Sequence, residues 1–345
     1  MAYENYVPVV EVTRGPIVES VHFGAAVVVD SAGSVVACVG DAQTTAFLRS
    51  SAKPFQALPF VELGGVEKYG LSDRELALMC SSHHGTDEHV QVVTGMQSKI
   101  GLEESDLMCG SHTPSNSKTW EAMILRGEKP TPRRHNCSGK HTGMLAHAVM
   151  RGLPKADYVN PEHPVQKTIL QAFAEMTGLE PEQVVQGIDG CSVPTFAIPL
   201  YNAALGFARL ADPAALPEWR KNALAHIFKA MSTNPMMIAG PGAFDTLVME
   251  AGAGTIVSKG GAEGYQCMAV APGTLGLKSP GLGIAFKIAD GDLEGRARPM
   301  VALSILKQLG VISAAQAETL GKFERRSLYN FRKLEVGEIR PAFSI

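Results

Sequence analysis

Strand signals occupy both ends of this 345-residue chain, and a long, mostly helical stretch separates them. Near the start, apolar β-branched runs at 9–12, 17–21, 25–29 and 35–39 are divided by the turn clusters Thr13-Arg14-Gly15-Pro16 and Asp30-Ser31-Ala32-Gly33-Ser34. Such runs split by Gly, Asp and Ser read as hairpins. Near the end, runs at 246–250, 255–259, 266–271, 274–278 and 283–288 are split by Gly-rich turns such as Lys278-Ser279-Pro280-Gly281. An isolated hairpin is marginal in water and leaves its edges open. The two groups are therefore expected to join in one antiparallel sheet. The predicted class is α+β, a single unit of two interleaved lobes. Residues 1–49 and 243–345 make the sheet lobe, and 50–242 make a mainly helical lobe. A cleft between the lobes is the natural ligand site.

The middle carries helix punctuation. Residues 50 to about 63 read as helix. Ser72-Asp73-Arg74-Glu75 is a capping box before the apolar run 76–79. Thr86 is placed to cap a helix that ends near Gly101. Further helical patterns lie near 119–126, 139–151, 164–177, 200–211 and 216–231, and a last helix near 296–309. The polar stretches 105–118 and 127–136 read as loops. There is no internal repeat and no low-complexity segment.

Composition narrows the function. A hydrophobic share of 45% and a net charge of −3 exclude the disorder that needs few apolar residues and strong charge. Nor is there the basic excess of a nucleic-acid binder. The tail 322–340 is the most basic stretch, but it also carries Glu324, Glu335 and Glu338 and reads as solvated surface. No run reaches the roughly 18 apolar residues of a membrane span. The best candidate, 196–208, is broken by Pro199 and Asn202. The start Met1-Ala2-Tyr3-Glu4-Asn5-Tyr6 lacks the basic and apolar regions of a signal peptide, so a cytoplasmic protein is expected. Six cysteines without CxxC spacing indicate free thiols or a metal site rather than a disulfide framework.

Ser50-Ser51-Ala52-Lys53 has the form S-x-x-K. Positions i and i+3 of a helix share a face, so Ser50 and Lys53 can touch. A serine hydroxyl needs a neighbouring base to become a nucleophile. A lysine serves only if burial and nearby cations hold it neutral. Alone the motif also fits a helix cap beside a surface lysine. Its context resembles the serine β-lactamases and penicillin-binding proteins, where S-x-x-K is joined by a second serine motif and a K-T-G on a late strand. Here Ser82 follows the Ser72 helix, and a late strand ends in Ser258-Lys259-Gly260-Gly261. The spacing from Ser50 to Ser82 is short for that group, and no S-D-N is present.

Two further segments are dense in reactive groups. His135-Asn136-Cys137-Ser138-Gly139-Lys140-His141-Thr142-Gly143 fails as a phosphate loop, because Arg134 and His141 stand where Gly and Ser or Thr are required. Gly187-Ile188-Asp189-Gly190-Cys191 sets an aspartate between glycines. By spacing, Cys137 and Cys191 are either buried cysteines or partners in a soft-metal site. His89 reads as structural. His83, His84 and His112 stay open, and Gly240-Pro241-Gly242 reads as a tight loop able to line a site.

Taken together, Arg49 to Gln56, Cys80 to His89, Cys109 to His112, His135 to His141, Gly187 to Cys191 and Ile238 to Gly242 resemble the rhizobial-type (type III) L-asparaginases over nearly the whole chain. The resemblance implies a serine β-lactamase-like fold, a homodimer, and hydrolysis of L-asparagine to aspartate and ammonia. It implies two serine–lysine pairs, Ser50 with Lys53 and Ser82 with Lys259. It implies a zinc ion on Cys137, Lys140 and Cys191 that positions substrate more than it hydrolyses. Arg49, His141 and Asp189 match positions around the substrate.

The expected chemistry is attack by Ser50, deprotonated by a neutral Lys53, with Ser82 and Lys259 relaying a proton to the departing ammonia. Three alternatives stand beside it. A related serine–lysine hydrolase would act on glutamine or a β-lactam. A zinc hydrolase would lose activity on chelation and tolerate loss of Ser50. An amino-acid-binding protein would hold asparagine without releasing ammonia.

Overall fold

The computed structural model describes residues 4–345, so Met1, Ala2 and Tyr3 of the start segment lie outside the described residues. Strands β1 (Val7–Arg14), β2 (Ile17–Asp30) and β3 (Val35–Val39) come from the chain start. Strands β4 (Thr45–Phe47), β5 (Val185–Ile188) and β6 (Pro194–Pro199) form a separate small sheet, ordered β4-β6-β5. Strands β7 (Ile256–Gly260), β8 (Tyr265–Val270), β9 (Leu282–Ile288), β10 (Arg326–Tyr329) and β11 (Glu335–Pro341) come from the end. The large sheet is antiparallel and runs β10-β11-β1-β2-β9-β8-β7, with β3 also on β2. Both chain ends thus build one sheet, and the α+β organisation is the expected one.

Why the runs are so uniformly apolar follows from the layers. Side chains alternate across a strand. Ala25, Val27 and Val29 of β2 pack with the helical lobe, while Ala26 and Val28 pack with the helices Phe244–Gly252 and Arg298–Gln308. A sheet covered on both faces needs apolar residues on both. The two runs read at 17–21 and 25–29 are one 14-residue strand.

Contact between layers is close where it matters. The helix Leu200–Ala211 crosses the sheet over β9, and a Cβ on Gly283 would stand 1.8 Å from the Ala204 carbonyl oxygen. Only glycine allows that approach.

Four details depart from expectation. The run 246–250 lies in the helix Phe244–Gly252, because Phe244, Leu247, Val248 and Ala251 recur at helical spacing and turn toward the second core. The run 274–278 forms no strand. Gly273 and Gly276 take positive φ there, and Leu277 is fully exposed, so nothing buries the alternation. The small sheet β4-β6-β5 was not foreseen. Nor were β10 and β11, which follow what was read as the last helix. Their charges pair along the sheet: Arg340 with Glu11 at 2.9 Å and with Glu338 at 2.7 Å.

Candidate active site

The chain enters the cleft from β4. Leu48 donates its N–H to the Phe196 carbonyl at 2.9 Å, and Arg49 then turns with φ +51°. A left-handed non-glycine residue costs of order 1–3 kcal/mol and persists only where the surroundings impose it. The turn starts a short 3-10 helix, Arg49–Ala52, that continues into the helix Lys53–Glu62. Nine of that helix's ten residues are buried, so Lys53 is carried into the interior by its own helix. Its amine must find acceptors there. It finds the Ser81 carbonyl and the Ser82 hydroxyl, the latter at 2.9 Å.

Ser82 is held from the other side. The helix Asp73–Met79 starts at the Ser72 capping box, as the sequence indicates, and the chain then runs on to Thr86. Ser82 N–H donates to Ile238 O at 2.9 Å and His84 N–H to Ala239 O at 2.7 Å, which pins this loop to the Ile238–Gly242 segment. On β7, Lys259 faces the helical lobe beside Val257, and its amine reaches Ser82 Oγ at 2.9 Å and Gly260 O at 2.7 Å.

One hydroxyl therefore lies between two buried lysines. Ser82 can donate its proton to only one of them, and that one must be neutral. Burial depresses the Lys53 amine. Burial first, then the charge of Lys53, brings Lys259 down to about 7. The expected contact between Ser50 and Lys53 is not formed. Lys53 turns inward to the buried acceptors, and among the described residues Ser50 Oγ has no hydrogen-bond partner. Ser50 instead lies on the wall shared by two adjoining cavities, of about 400 and 240 Å³. The larger holds Arg49 and Asp189; the smaller holds Ser82 and Lys259.

The small sheet explains the rest of the larger cavity. β4 leads into Arg49 and β5 leads into Asp189, and both pair with β6. Arg49 Nε donates to Asp189 Oδ1 at 2.6 Å. Burial alone would raise the Asp189 carboxyl, but the Lys140 and Arg49 charges hold it below its ordinary range.

Beside this pair the helix Ser138–Met150 starts at Cys137. Lys140 Nζ stands 3.0 Å from Cys191 Sγ and 4.0 Å from Asp189 Oδ2. Ligand atoms of Cys137, Asp189 and Cys191 lie within 4.8 Å of one another. Tetrahedral zinc with sulfur at about 2.3 Å needs two thiolates that near. A hydrogen bond from Cys191 and the charges of Lys53 and Lys140 hold Cys137 well below a normal thiol. The donor set fits zinc. All six cysteines are free.

His141 sits behind the wall rather than on it. It is buried, with Nδ1 2.6 Å from the Tyr158 hydroxyl. His89 caps its own helix through Thr86 and bonds Met236 O at 3.0 Å, a structural use. The three open histidines find places: His112 lines the larger cavity, His84 the smaller, and His83 is buried with Nε2 2.9 Å from Ser138 Oγ. Asn136, on both walls, lies in a segment singled out in the sequence but had no role of its own there; Asp245 and Arg298, in the smaller cavity, were not singled out. For Asp245 and Arg298 no local signal exists, since they meet only in the fold.

A sheet made from both chain ends and a helical lobe define an α+β protein, with a cleft between them where two buried lysines hold one serine hydroxyl. The family model for L-asparaginase II matches residues 10–341, and the chain belongs to that family. It is thus an amidohydrolase of the L-asparaginase kind. No curated protein matches its sequence. Solved structures similar to it include a Bacillus subtilis glutaminase in covalent complex with 5-oxo-L-norleucine, at 13% identity, covering 84% of this chain and 89% of that one, TM-score 0.39. A Mycobacterium bovis β-lactamase is similar at 12% identity over 83% and 94%, TM-score 0.42. Mglu in its glutamate form is similar at 14% over 84% of this chain, TM-score 0.44; this chain spans 62% of its length. At these scores none of them bears on what the chain does.

Proposed function

We propose that the chain hydrolyses the side-chain amide of L-asparagine to L-aspartate and ammonia by a serine–lysine route. The observation that carries the route is Ser82 Oγ between Lys53 and Lys259, 2.9 Å from each, next to Ser50 on the shared wall. Ser50 Oγ attacks the amide carbon, and its proton passes to Lys53, one helical turn away. Contacts left open without substrate commonly close in the complex. Ser82 takes that proton from Lys53 as it gives its own to the neutral Lys259, and Lys259 passes a proton to the amide nitrogen as the C–N bond breaks and ammonia leaves. Water then hydrolyses the β-aspartyl ester and restores the Ser50 hydroxyl. Asp189 receives the substrate ammonium and Arg49 its carboxylate or the balancing charge; both give up their mutual ion pair to do so. Cys137, Lys140 and Cys191 would hold zinc, which would supply a positive centre for orienting substrate; Lys140 would have to release its proton to bind it.

Ammonia release from L-asparagine and L-glutamine is measured for wild type, Ser50→Ala and Ser82→Ala. Asparagine-selective release that falls by about 10³-fold or more in Ser50→Ala supports the assignment. The Lys53–Ser82 hydrogen bond favours a second reading, with Ser82 as nucleophile; a trapped ester on Ser82, found by mass spectrometry, would establish it. No release by folded wild type refutes the activity.

Among the described residues, no helix is long and apolar enough to cross a membrane. The free thiols support our placing the enzyme in the cytoplasm, acting on a small amide as a homodimer; light scattering checks the dimer.

A further inference from the structure

We propose that Asp245, together with Gln266 and Arg298, is a positioning residue for Lys259: it clasps the end of β7 and so holds the amine against Ser82. The inference rests on the Ser82–Lys259 pair being part of the working machinery.

The alternation of β7 separates the two jobs. Ile256 packs into the second core and Val257 into the first, so Ser258 and Gly260 lie on the side opposite Lys259. Asp245 takes hold of both residues that flank the lysine. Its Oδ1 accepts from Ser258 Oγ at 2.7 Å, and its Oδ2 accepts from Gly260 N–H at 2.8 Å. β7 is an edge strand, so its outward N–H groups have no strand neighbour, and the carboxylate replaces one. Gln266 on β8 donates Nε2 to Asp245 Oδ1 at 2.9 Å and to Ser258 Oγ at 2.9 Å, while its Oε1 accepts from Arg298. The clasp is fitted to glycine: a Cβ on Gly260 would stand 2.4 Å from Arg298 Nη1 and 3.1 Å from Asp245 Oδ2.

The cluster is charged and lies beside the lysine it positions. Asp245 is buried at the cavity wall, yet Arg298, Lys259 and its hydrogen bonds overcome the cost of burial and keep the carboxylate ionised. Asp245 favours the charged form of Lys259, and Arg298 opposes it. The other groups facing Lys259 are Lys53 from its helix, Cys137 from the start of the Ser138–Met150 helix, Cys80 and His84 from the loop around Ser82, and Cys267 from β8. None of these lies on the two helices that carry Asp245 and Arg298.

A purely structural brace and a positioning clasp of this kind differ in one readout. The rising limb of kcat/KM against pH is measured for wild type, Asp245→Asn and Arg298→Met. Removing the carboxylate should move the limb to lower pH, and removing the guanidinium should move it to higher pH, each by roughly half to one pH unit. NMR titration of isotope-labelled lysine, assigned with Lys259→Met, should show the same opposite shifts without turnover. Shifts of one sign, or an unmoved titration with only a fall in Tm, overturn the inference. If Asp245→Asn does not fold, Arg298→Met at the cavity rim carries the test alone, and an unmoved titration overturns it. Absence of wild-type ammonia release would instead strike the proposed activity, while the lysine titration would still decide this point.

Discussion

At the residue scale, the site is assembled from groups that are costly to bury. Lys53 and Lys259 both sit in the interior with depressed pKa. An unfolded chain would hold Lys259 charged at neutral pH, so the fold carries a penalty for keeping it neutral there. Lys259→Met should therefore abolish turnover while raising Tm by about a few degrees, read by calorimetry beside the ammonia assay. An unchanged or lower Tm would show that the hydrogen bonds to Ser82 and Gly260 outweigh the penalty. Cys191 gives a second test. Cys191→Ser should lose bound zinc by elemental analysis and raise KM more than it lowers kcat. Zinc-free protein with unchanged kinetics would end the positioning role.

At the element scale, what brings the residues together is close packing of ordinary elements. The helix Leu200–Ala211 lies so near β9 that Gly283 has no room for a Cβ. Gly283→Ala should destabilise the protein by about 1–3 kcal/mol, seen as a lower denaturant midpoint. A loss within about 0.5 kcal/mol would mean that the helix shifts freely. The small sheet does a different job. β4 and β5 flank β6 and deliver Arg49 and Asp189 to one point, 140 residues apart in sequence. The Ser72 and Thr86 caps were readable because they are local. The strands β5 and β6 were not, because β5 is short and mostly exposed and pairs only with β6, while β6 finds its other neighbour in the distant β4. The strand read at 246–250 failed for a related reason. Thr246 and Val248 are β-branched, but two packed cores made the helical spacing decisive.

At the scale of the whole molecule, pH acts on activity and stability through different groups. Lys259 at about 7 must lose its proton to accept one, so kcat/KM for asparagine should climb through that region and level above it. A flat profile from pH 6 to 9 would remove Lys259 from proton transfer. His89 and His147 are buried neutral, with pKa brought down to about 4 by burial. An unfolded histidine takes up its proton near 6.5. The part of the stability that rests on these two histidines is thus full above about 6.5 and lost progressively as pH falls toward 4. Tm measured from pH 7 to 4 should fall, and His147→Gln should flatten the fall; an equal slope in the variant would rule out His147.

The sequence alone determined the class of the protein. Strands at both ends, helices between them, S-x-x-K, the late Ser258-Lys259-Gly260 and the Cys137 and Asp189 segments could all be read, since periodicity, caps and motif order are local properties. It also pointed to Ser50, Ser82, Lys53 and Lys259 as a group. Which lysine meets which serine was decided by tertiary structure. Lys53 lies within one turn of Ser50 in the chain, yet it bonds Ser82, because a buried amine goes to whatever acceptors the neighbouring segments place around it. The same holds for Asp245 and Arg298. Neither carries a motif, and their roles come from an edge strand, two helices and one glycine meeting at a single point, which no local pattern encodes.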